Sequence, residues 1–221
     1  MTQAVIFDVD GTLVDTVDLH AEAWAETFRH FGIEVETAAV RSQIGKGGDQ
    51  MMPVFVPESR LAADGEAMEQ FRSDLYKREY LPRARAFPGV RALFERLKAD
   101  GKRVAIGSSC KADELGGYLK LADIEGLPDA ATTGDDAEHS KPFPDIFQAA
   151  ASKLGDVDPL EVVVVGDSPF DAQAAVIAGF KPIGVLCGGF REGDLRAAGA
   201  VEIHDGPEAL LAAYDRSILF R

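Results

Sequence analysis

The chain of 221 residues carries a net charge of −14 at pH 7, and 46% of its residues are hydrophobic. This composition predicts a globular protein with one good hydrophobic core and room for a modest second unit. The charge and the isoelectric point near 4.7 argue against nucleic acid or an anionic membrane as partners, since phosphate backbones and acidic lipids repel such a surface.

Membrane spans and structural disulfides are not expected either. No stretch approaches the roughly 20 uninterrupted apolar residues of a membrane span, and the first residues lead into a predicted strand instead of a signal peptide. Cys110 and Cys187 have neither the number nor the spacing of a disulfide framework or a zinc site. We therefore expect a cytoplasmic protein with two reduced, structural cysteines, and no protein partner is evident.

Four short apolar runs predict strands of a parallel sheet. The first covers residues 4–7, and the others lie at 103–106, 162–165 and 183–185. Continuous β-prone runs of this kind are typical of strands buried on both faces, and amphipathic helical patterns separate them. The alternation favours an α/β fold with right-handed crossovers, whose ligand site lies at the carboxyl ends of the strands.

The interval after the first strand breaks this alternation. Residues 16–84 hold helical patterns, such as the wide apolar face that includes Leu19 and Ala23, and no convincing buried strand. We predict that this interval is a helical insert, and that residues 1–15 and 85–221 form the α/β core.

Two acids follow the first predicted strand. Asp8 and Asp10 are two residues apart, so their side chains point the same way, and a divalent cation with its preference for oxygen ligands would offset their repulsion. Gly11 permits a sharp turn, whose successive backbone N–H groups form an anion-binding concavity. The alternative is that the acids only end a strand and cap a turn.

Further polar residues follow the later predicted elements. Ser108 and Ser109 come after the second strand, Lys141 lies on a proline-bounded turn, and Asp167 and Asp171 follow the 162–165 run. Each has a commoner structural explanation when taken alone, as a helix cap or a solvated lysine. Their coincidence at one edge of the predicted sheet favours a single site for a phosphate and a metal ion.

These motifs carry a family resemblance. Asp8-Val9-Asp10-Gly11-Thr12, then Ser108, Lys141-Pro142 and Gly166-Asp167-Ser168 with Asp171, occur in the order found in haloacid dehalogenase superfamily phosphatases. The chain resembles the branch that includes phosphoglycolate phosphatases and β-phosphoglucomutases, over essentially its whole length. The resemblance implies a Rossmann-like, doubly wound parallel sheet with an inserted α-helical cap.

The resemblance also implies roles for single residues. Asp8 would be the nucleophile that forms an aspartyl-phosphate, and Asp10 the general acid that protonates the leaving alcohol and then activates water. Mg²⁺ would be held by Asp8, the backbone carbonyl of Asp10 and Asp167, with Asp171 as a supporting residue or occasional ligand. The phosphoryl oxygens would be bound by Thr12, Ser108, the N–H of Ser109 and Lys141.

The predicted activity is Mg²⁺-dependent hydrolysis of a small phosphorylated metabolite. An acid at Asp10 disfavours carbon–halogen and carbon–phosphorus chemistry, because only a poor alkoxide leaving group needs protonation. Hexose-phosphate mutase activity remains an alternative, since Asp15-Thr16 followed by His20 and Trp24 occurs in mutases and in many sugar-phosphate phosphatases. A non-catalytic phosphometabolite-binding protein is a weaker alternative, because it would be expected to have lost one of the central residues.

Candidate substrate contacts in the insert are His20, Lys46 and Arg72. His20 is interpreted either as a hydrogen-bonded residue on the inner face of a helix or as a substrate contact, and Trp24 as part of the hydrophobic core of the insert. Lys46 lies between glycines where the family's specificity loop projects over the site, and those glycines also suit a plain tight turn. The sequence leaves phosphoglycolate, sugar phosphates and nucleotides open as substrates.

Overall fold

A computed structural model describes residues 1–220 of the chain. In chain order its strands are β1 (Ala4–Phe7), β2 (Val14–Asp15), β3 (Arg85–Ala86), β4 (Arg103–Gly107), β5 (Ala130–Thr132), β6 (Val162–Gly166), β7 (Lys181–Val185) and β8 (Glu202–His204). The helices are α1 (Val17–His30), α2 (Thr37–Arg41), α3 (Gly48–Phe55), α4 (Glu58–Leu75), α5 (Val90–Ala99), α6 (Ala112–Leu121), α7 (Asp145–Lys153), α8 (Pro169–Ile177), α9 (Glu192–Ala197) and α10 (Pro207–Ala212).

Six of the strands form one parallel sheet in the order β5-β4-β1-β6-β7-β8. β1 and β6 are buried along their whole length, as their uninterrupted apolar sequences predict. Phe7, the last residue of β1, pairs with Ile106 of β4 on one side and with Val165 of β6 on the other. The loops that follow these three strands therefore lie next to each other at the carboxyl edge of the sheet.

Helices cover both faces of the sheet. Side chains of α5, α6 and α10, such as Phe94 and Tyr118, pack with Phe7 and Val165 on one face. Side chains of α7 and α8 pack on the opposite face around Phe147. The predicted doubly wound, Rossmann-like α/β fold is confirmed, with each continuous apolar strand serving two hydrophobic layers at once.

The interval between β2 and β3 is helical. It contains α1 to α4, followed by a π-helical turn at Tyr76–Tyr80. Trp24 and other hydrophobic side chains of the interval form a second core, whereas Leu19, Leu75 and Tyr76 pack with the core of the sheet. β2 and β3 pair antiparallel where the chain enters and leaves this interval. We propose the predicted division into a core of residues 1–15 and 85–221 and a helical cap of residues 16–84.

Some elements differ from the sequence-based expectations. β5 and β8 are three residues long and only partly buried, so they lack the apolar run that identified the other strands. Residues 62–67 are rich in Ala, Gly and Asp, a composition that is common in loops, yet they lie inside the 18-residue α4. Within residues 1–220, no helix combines the length and the apolar character that a membrane crossing requires.

Candidate active site

The predicted core residues converge on one buried cluster of charges. Asp8 directly follows β1, Asp167 directly follows β6, and Asp171 lies in the first turn of α8. Lys141, from the turn that precedes α7, places its ammonium group between two of them. Its Nζ donates hydrogen bonds of 2.7 Å to Asp8 Oδ1 and of 2.7 Å to Asp171 Oδ1. All four side chains are at most 3% exposed.

Lys141 is held as a cation. Burial alone would lower the pKa of its ammonium group, but the carboxylates of Asp171 and Asp8 raise that pKa above its usual range. A fixed cation at this place can neutralise negative charge on a phosphoryl group during transfer.

One lysine does not balance the three buried acids. Burial raises the pKa of Asp8 to about 7, with the negative charges of Asp171 and Asp10 adding to the effect and Lys141 opposing it. The pKa of Asp167 also lies well above its ordinary value, because of burial and the charges of Asp171 and Asp8. The cluster is therefore short of positive charge.

The geometry of Asp167 fits a bound cation. Oxygen atoms of Asp8, Asp167 and Asp171 lie within 4.8 Å of one another. Asp167 Oδ1 accepts a 3.3 Å hydrogen bond from Thr12 Oγ1, whereas its buried Oδ2 has no hydrogen-bond partner in the described part of the chain. A carboxylate set of this kind suits a hard ion such as Mg²⁺.

Two glycines line the same oxygen. A Cβ atom on Gly11 would lie 2.3 Å from Asp167 Oδ2, and one on Gly188 would lie 1.8 Å from it. Both positions therefore require glycine if Asp167 is to keep its place.

Asp171 is fixed by the start of α8. Its Oδ2 accepts hydrogen bonds from the backbone N–H and the hydroxyl group of Ser168, and the Ser168 hydroxyl accepts in turn from the backbone N–H of Asp171. This reciprocal pair is a capping box, which satisfies N–H groups that a helix leaves unpaired at its first turn. Both oxygens of Asp171 are thus occupied, one by the helix cap and one by Lys141.

Asp10 is hydrogen-bonded to residues at the start of α1. Its Oδ1 accepts a 2.6 Å hydrogen bond from Thr16 Oγ1 and lies 3.0 Å from His20 Nε2. The His20 ring is buried and stacks on Tyr76 at 4.1 Å between ring centroids. Burial would raise the pKa of Asp10, but the charge and hydrogen bond of His20 and the hydrogen bond of Thr16 lower it below its usual value.

Both interpretations of His20 rest on its place on the inner face of α1. The hydrogen-bonded interpretation holds in this structure, with Asp10 as the partner, and His20 also borders the cavity over the site. The sequence analysis missed this pairing with Asp10. The signal was present, because Thr16 and His20 are four residues apart and therefore on one side of a helix start.

The predicted phosphate-binding residues surround the cluster. Ser108 is fully buried, and its hydroxyl group accepts a 3.1 Å hydrogen bond from the N–H of Cys110. The Thr12 hydroxyl group is directed to Asp167, and Ser109 borders the cavity. The structure brings these residues to one sheet edge, and their contact with a phosphate stays a prediction.

A cavity of about 360 Å³ lies over Asp8, Asp10 and Lys141. All three predicted cap residues, His20, Lys46 and Arg72, border it. Its other lining residues are Trp24, Ile44, Gly45, Gly47, Gly48, Asp49, Glu69, Ser109, Cys110, Lys111, Glu114, Gly134, Asp135, Ala137, Glu138 and Ser140. A larger cavity of about 580 Å³ beside α2 and α8 contains none of the predicted site residues, so the smaller one is the candidate active site.

Residues 5–185 match the family model described as haloacid dehalogenase-like hydrolase. The chain belongs to this family. A curated relative, the phosphorylated carbohydrates phosphatase of Thermotoga maritima, is 29% identical over 95% of this chain and 96% of its own length.

Solved structures of similar proteins cover nearly the whole chain. A hydrolase from Pseudomonas syringae has a TM-score of 0.88 at 30% identity, over 97% of this chain and 99% of its own. A structure described as a putative β-phosphoglucomutase from Thermotoga maritima has a TM-score of 0.71 at 28% identity, over 97% of this chain and 99% of its own. The predicted family and its enzyme class, a haloacid dehalogenase-like hydrolase with phosphatases among its relatives, are confirmed.

In this hydrolase the first turn of α3 contacts the turn that carries Lys141. Asp49 Oδ2 accepts a 3.2 Å hydrogen bond from the backbone N–H of Ser140. Lys46, in the loop before α3, donates to Gln43 Oε1 at 2.7 Å and lies 4.8 Å from the ring centroid of Phe170 on α8. The sequence analysis expected a loop over the site, but it did not identify Asp49 as its anchor.

Proposed function

We propose that this hydrolase cleaves a small phosphate monoester through a covalent phosphoryl intermediate on Asp8, in a reaction that requires Mg²⁺. The observation that carries the proposal is the buried Asp8–Lys141 pair at 2.7 Å on the floor of a cavity that Asp10 also lines. A buried, oriented carboxylate next to a fixed cation has the features of an activated nucleophile.

Asp8 attacks phosphorus with the oxygen that Lys141 does not hold. Lys141 bonds to Oδ1, and Oδ2 accepts no hydrogen bond from the described residues. The new bond joins Asp8 Oδ2 to phosphorus while the bond between phosphorus and the alcohol oxygen breaks. Water then attacks the phosphorus of the aspartyl-phosphate, which releases inorganic phosphate and restores the carboxylate.

Asp10 carries the proton in both steps. Thr16 and His20 both bond to Oδ1, which leaves Oδ2 to face the leaving oxygen. The negative charge of an arriving phosphate raises the pKa of a neighbouring carboxyl group, which favours the protonated form of Asp10. Asp10 donates that proton to the alcohol and recovers one from the attacking water.

Magnesium would be held by Asp8, the backbone carbonyl of Asp10 and Asp167, with Asp171 in support through Lys141. Bound there, Mg²⁺ would neutralise charge between the carboxylates and an incoming phosphate. The buried, unpartnered Asp167 Oδ2 and the raised pKa of Asp8 support this assignment. Thr12, Ser108, the N–H of Ser109 and Lys141 would bind the phosphoryl oxygens, and His20, Lys46 and Arg72 would face the substrate's other end.

The substrate is a small phosphorylated metabolite. A cavity of about 360 Å³ holds a compact molecule, and the name of the relative from Thermotoga maritima points to carbohydrate phosphates. Mutase activity is the second candidate, supported by the similarity to a putative β-phosphoglucomutase. It would share the attack by Asp8 and pass the phosphoryl group to a sugar instead of water. The cytoplasmic location also remains a prediction.

A panel of phosphate esters tests the proposal. The purified protein is incubated with Mg²⁺ and each ester, and both free phosphate and isomerised sugar phosphate are measured. Free phosphate supports the phosphatase. Isomer without free phosphate supports the mutase, and no turnover of any ester would favour a binding protein without catalytic activity.

A further inference from the structure

A glycine-rich turn outside the cavity lies against Asp167. Residues 186–189 follow β7, and a backbone hydrogen bond of 2.8 Å from the N–H of Gly189 to the carbonyl oxygen of Leu186 closes the turn. Gly188 lies so close to Asp167 Oδ2 that a Cβ atom on it would be 1.8 Å from that oxygen. None of the four residues of the turn borders the cavity over Asp8. The turn therefore contacts the proposed metal site without lining the proposed substrate site.

Two hydrogen bonds join this turn to the rest of the α/β core. The N–H of Leu186 donates to the carbonyl oxygen of His204 on β8 at 2.9 Å. The thiol of Cys187 donates to the carbonyl oxygen of Gly11 at 3.1 Å, and Gly11 is the other glycine that lines Asp167 Oδ2. A thiol is a weak donor, and consecutive glycines give the backbone wide conformational freedom. These bonds alone leave the peptide at the centre of the turn weakly restrained.

A further restraint comes from the helical insert. Arg41, the last residue of α2, donates from Nη2 to the carbonyl oxygen of Gly188 at 3.0 Å. Its Nε atom donates to Asp18 in the first turn of α1, which fixes the direction of the planar guanidinium group. A Cβ atom on Gly189 would lie 2.4 Å from Nη2, so a side chain there would displace the guanidinium group. Arg41 thus bridges the start of α1 and the turn beside Asp167.

The charge of Arg41 and its contacts predict opposite effects on a bound cation. A positive charge near the site repels Mg²⁺, so electrostatics alone predicts tighter metal binding when that charge is removed. If the guanidinium group holds Gly188 against Asp167, its removal should weaken metal binding instead, because residues that orient metal ligands raise the affinity of the site. The sign of the change in affinity therefore distinguishes the two effects.

Building on the proposed function, we infer that Arg41 is a positioning residue for Mg²⁺, which acts through the Gly188 peptide on Asp167. The helical insert then contributes to metal affinity by a route that does not pass through the cavity. Arg41 bonds to Asp18 and to the Gly188 carbonyl group, and it does not border the cavity over Asp8. Its place therefore gives it no contact with the substrate.

Calorimetric titration of Mg²⁺ onto the metal-free protein tests the inference without any turnover. Arg41→Met removes both donors and keeps an unbranched side chain. We expect it to raise the Kd for Mg²⁺ by about threefold to tenfold, less than the roughly 10 to 100-fold that residues bonded directly to a metal ligand contribute. An unchanged or lower Kd would overturn the inference, since the charge of Arg41 would then be its only influence on the site.

Arg60→Met is the matched control. Arg60 makes the same two kinds of bond, from Nε to Asp64 and from Nη2 to the carbonyl oxygen of Phe31 at 3.0 Å, but both partners belong to the helical insert. The Kd for Mg²⁺ should stay within about twofold of that of the unmodified protein, because salt screens an exposed charge with no bond to the core. Circular dichroism of the metal-free variants checks the fold. An equal increase in Kd in Arg41→Met and Arg60→Met would contradict the inference.

Kinetics separate metal positioning from substrate binding. With p-nitrophenyl phosphate, Arg41→Met should raise the Mg²⁺ concentration that gives half the maximal rate by the same factor as the Kd. The KM for the ester at saturating Mg²⁺ should change by less than about twofold. A raised KM with an unchanged Mg²⁺ requirement would assign Arg41 to substrate binding and overturn the inference.

Failure of the inference and failure of the proposed function are distinguishable. If the unmodified protein binds no Mg²⁺, the metal site of the proposed function is wrong and the inference falls with it. If the protein binds Mg²⁺ but hydrolyses no ester, the proposed activity is wrong, and calorimetry still decides the role of Arg41. If it binds Mg²⁺ and hydrolyses an ester while Arg41→Met has an unchanged Kd, only the inference is rejected.

Discussion

The floor and the wall of the cavity satisfy their polar groups in different ways. On the floor, Lys141 bonds to both Asp8 and Asp171, and Asp171 also closes the cap of α8. On the wall, which the side chains of α4 and α6 form, Glu114 Oε1 and the Nε and Nη1 atoms of Arg72 are buried without a hydrogen-bond partner among residues 1–220. The polar groups of the floor are paired within the protein, apart from the metal site, whereas the wall leaves these buried atoms unpaired. The proposed chemistry therefore belongs to the core, and substrate choice to the groups that face it.

The largest expected effect comes from the floor. Asp8→Asn replaces the attacking oxygen with an amide of the same size, so turnover should fall by at least about 10⁴-fold with the fold unchanged. Phosphate release from p-nitrophenyl phosphate measures the loss, and circular dichroism checks the fold. Full activity in a folded variant would show that Asp8 is not the nucleophile.

Asp10→Asn should separate two classes of ester. We expect a loss of about 10² to 10⁴-fold on alkyl esters and a much smaller loss on p-nitrophenyl phosphate, whose leaving group departs without a proton. Steady-state rates on the two esters give the comparison. A loss of equal size on both would argue against Asp10 as the general acid.

Lys141→Met tests whether the floor depends on its cation. Removing one partner of a buried ion pair should lower the free energy of unfolding by about 3 kcal/mol or more, as measured by urea denaturation without metal. Lys153→Met is the control, since Lys153 pairs with Asp136 at 2.7 Å on the exposed surface and should cost less than about 1 kcal/mol. A similar loss of unfolding free energy in both variants would show that the buried ion pair stabilises the fold no more than the exposed one.

The smallest effect is a pH dependence of stability. Without metal, the folded protein holds the Asp8 proton up to a pKa of about 7, whereas the ordinary value is 3.8. The folded state thus binds more protons between these values, so this group's contribution to stability falls as pH rises from about 4 to about 7. Mg²⁺ should therefore raise the melting temperature more at pH 7.5 than at pH 5. An equal increase at both pH values would contradict a link between the metal and this carboxyl group.

The floor was largely predictable from the sequence and the wall was not. β1, β4 and β6 are recognisable in the sequence as continuous apolar runs. Because these strands are parallel, the residues that follow them meet at one edge of the sheet, so Asp8, Ser108 and Asp167 could be expected to lie together. β5 and β8 lack such runs because they lie at the two edges of the sheet. Their residues therefore gave no comparable signal.

Contacts between the helical insert and the rest of the protein could not be predicted from the sequence. Glu114 resembles any acid in the first turn of a helix, and its burial becomes visible only when the turn after α4 packs against α6. The hydrogen bond between Asp49 and Ser140 joins residues 91 apart. No local pattern encodes such a contact, because it depends on how the helical interval packs against the sheet.

The short β2–β3 pair separates Asp10 from the residues that bond to its side chain. The chain enters and leaves the helical interval side by side, with Val14 paired with Ala86 and Asp15 paired with Arg85. Val14 lies only four residues after Asp10. Thr16 and His20 lie immediately past that pair, whereas Asp10 lies before it. Any bend at these two rungs would separate Thr16 and His20 from Asp10 and break the hydrogen bonds that both make to its Oδ1. Asp10 would then lose the two partners that hold its pKa below the usual value.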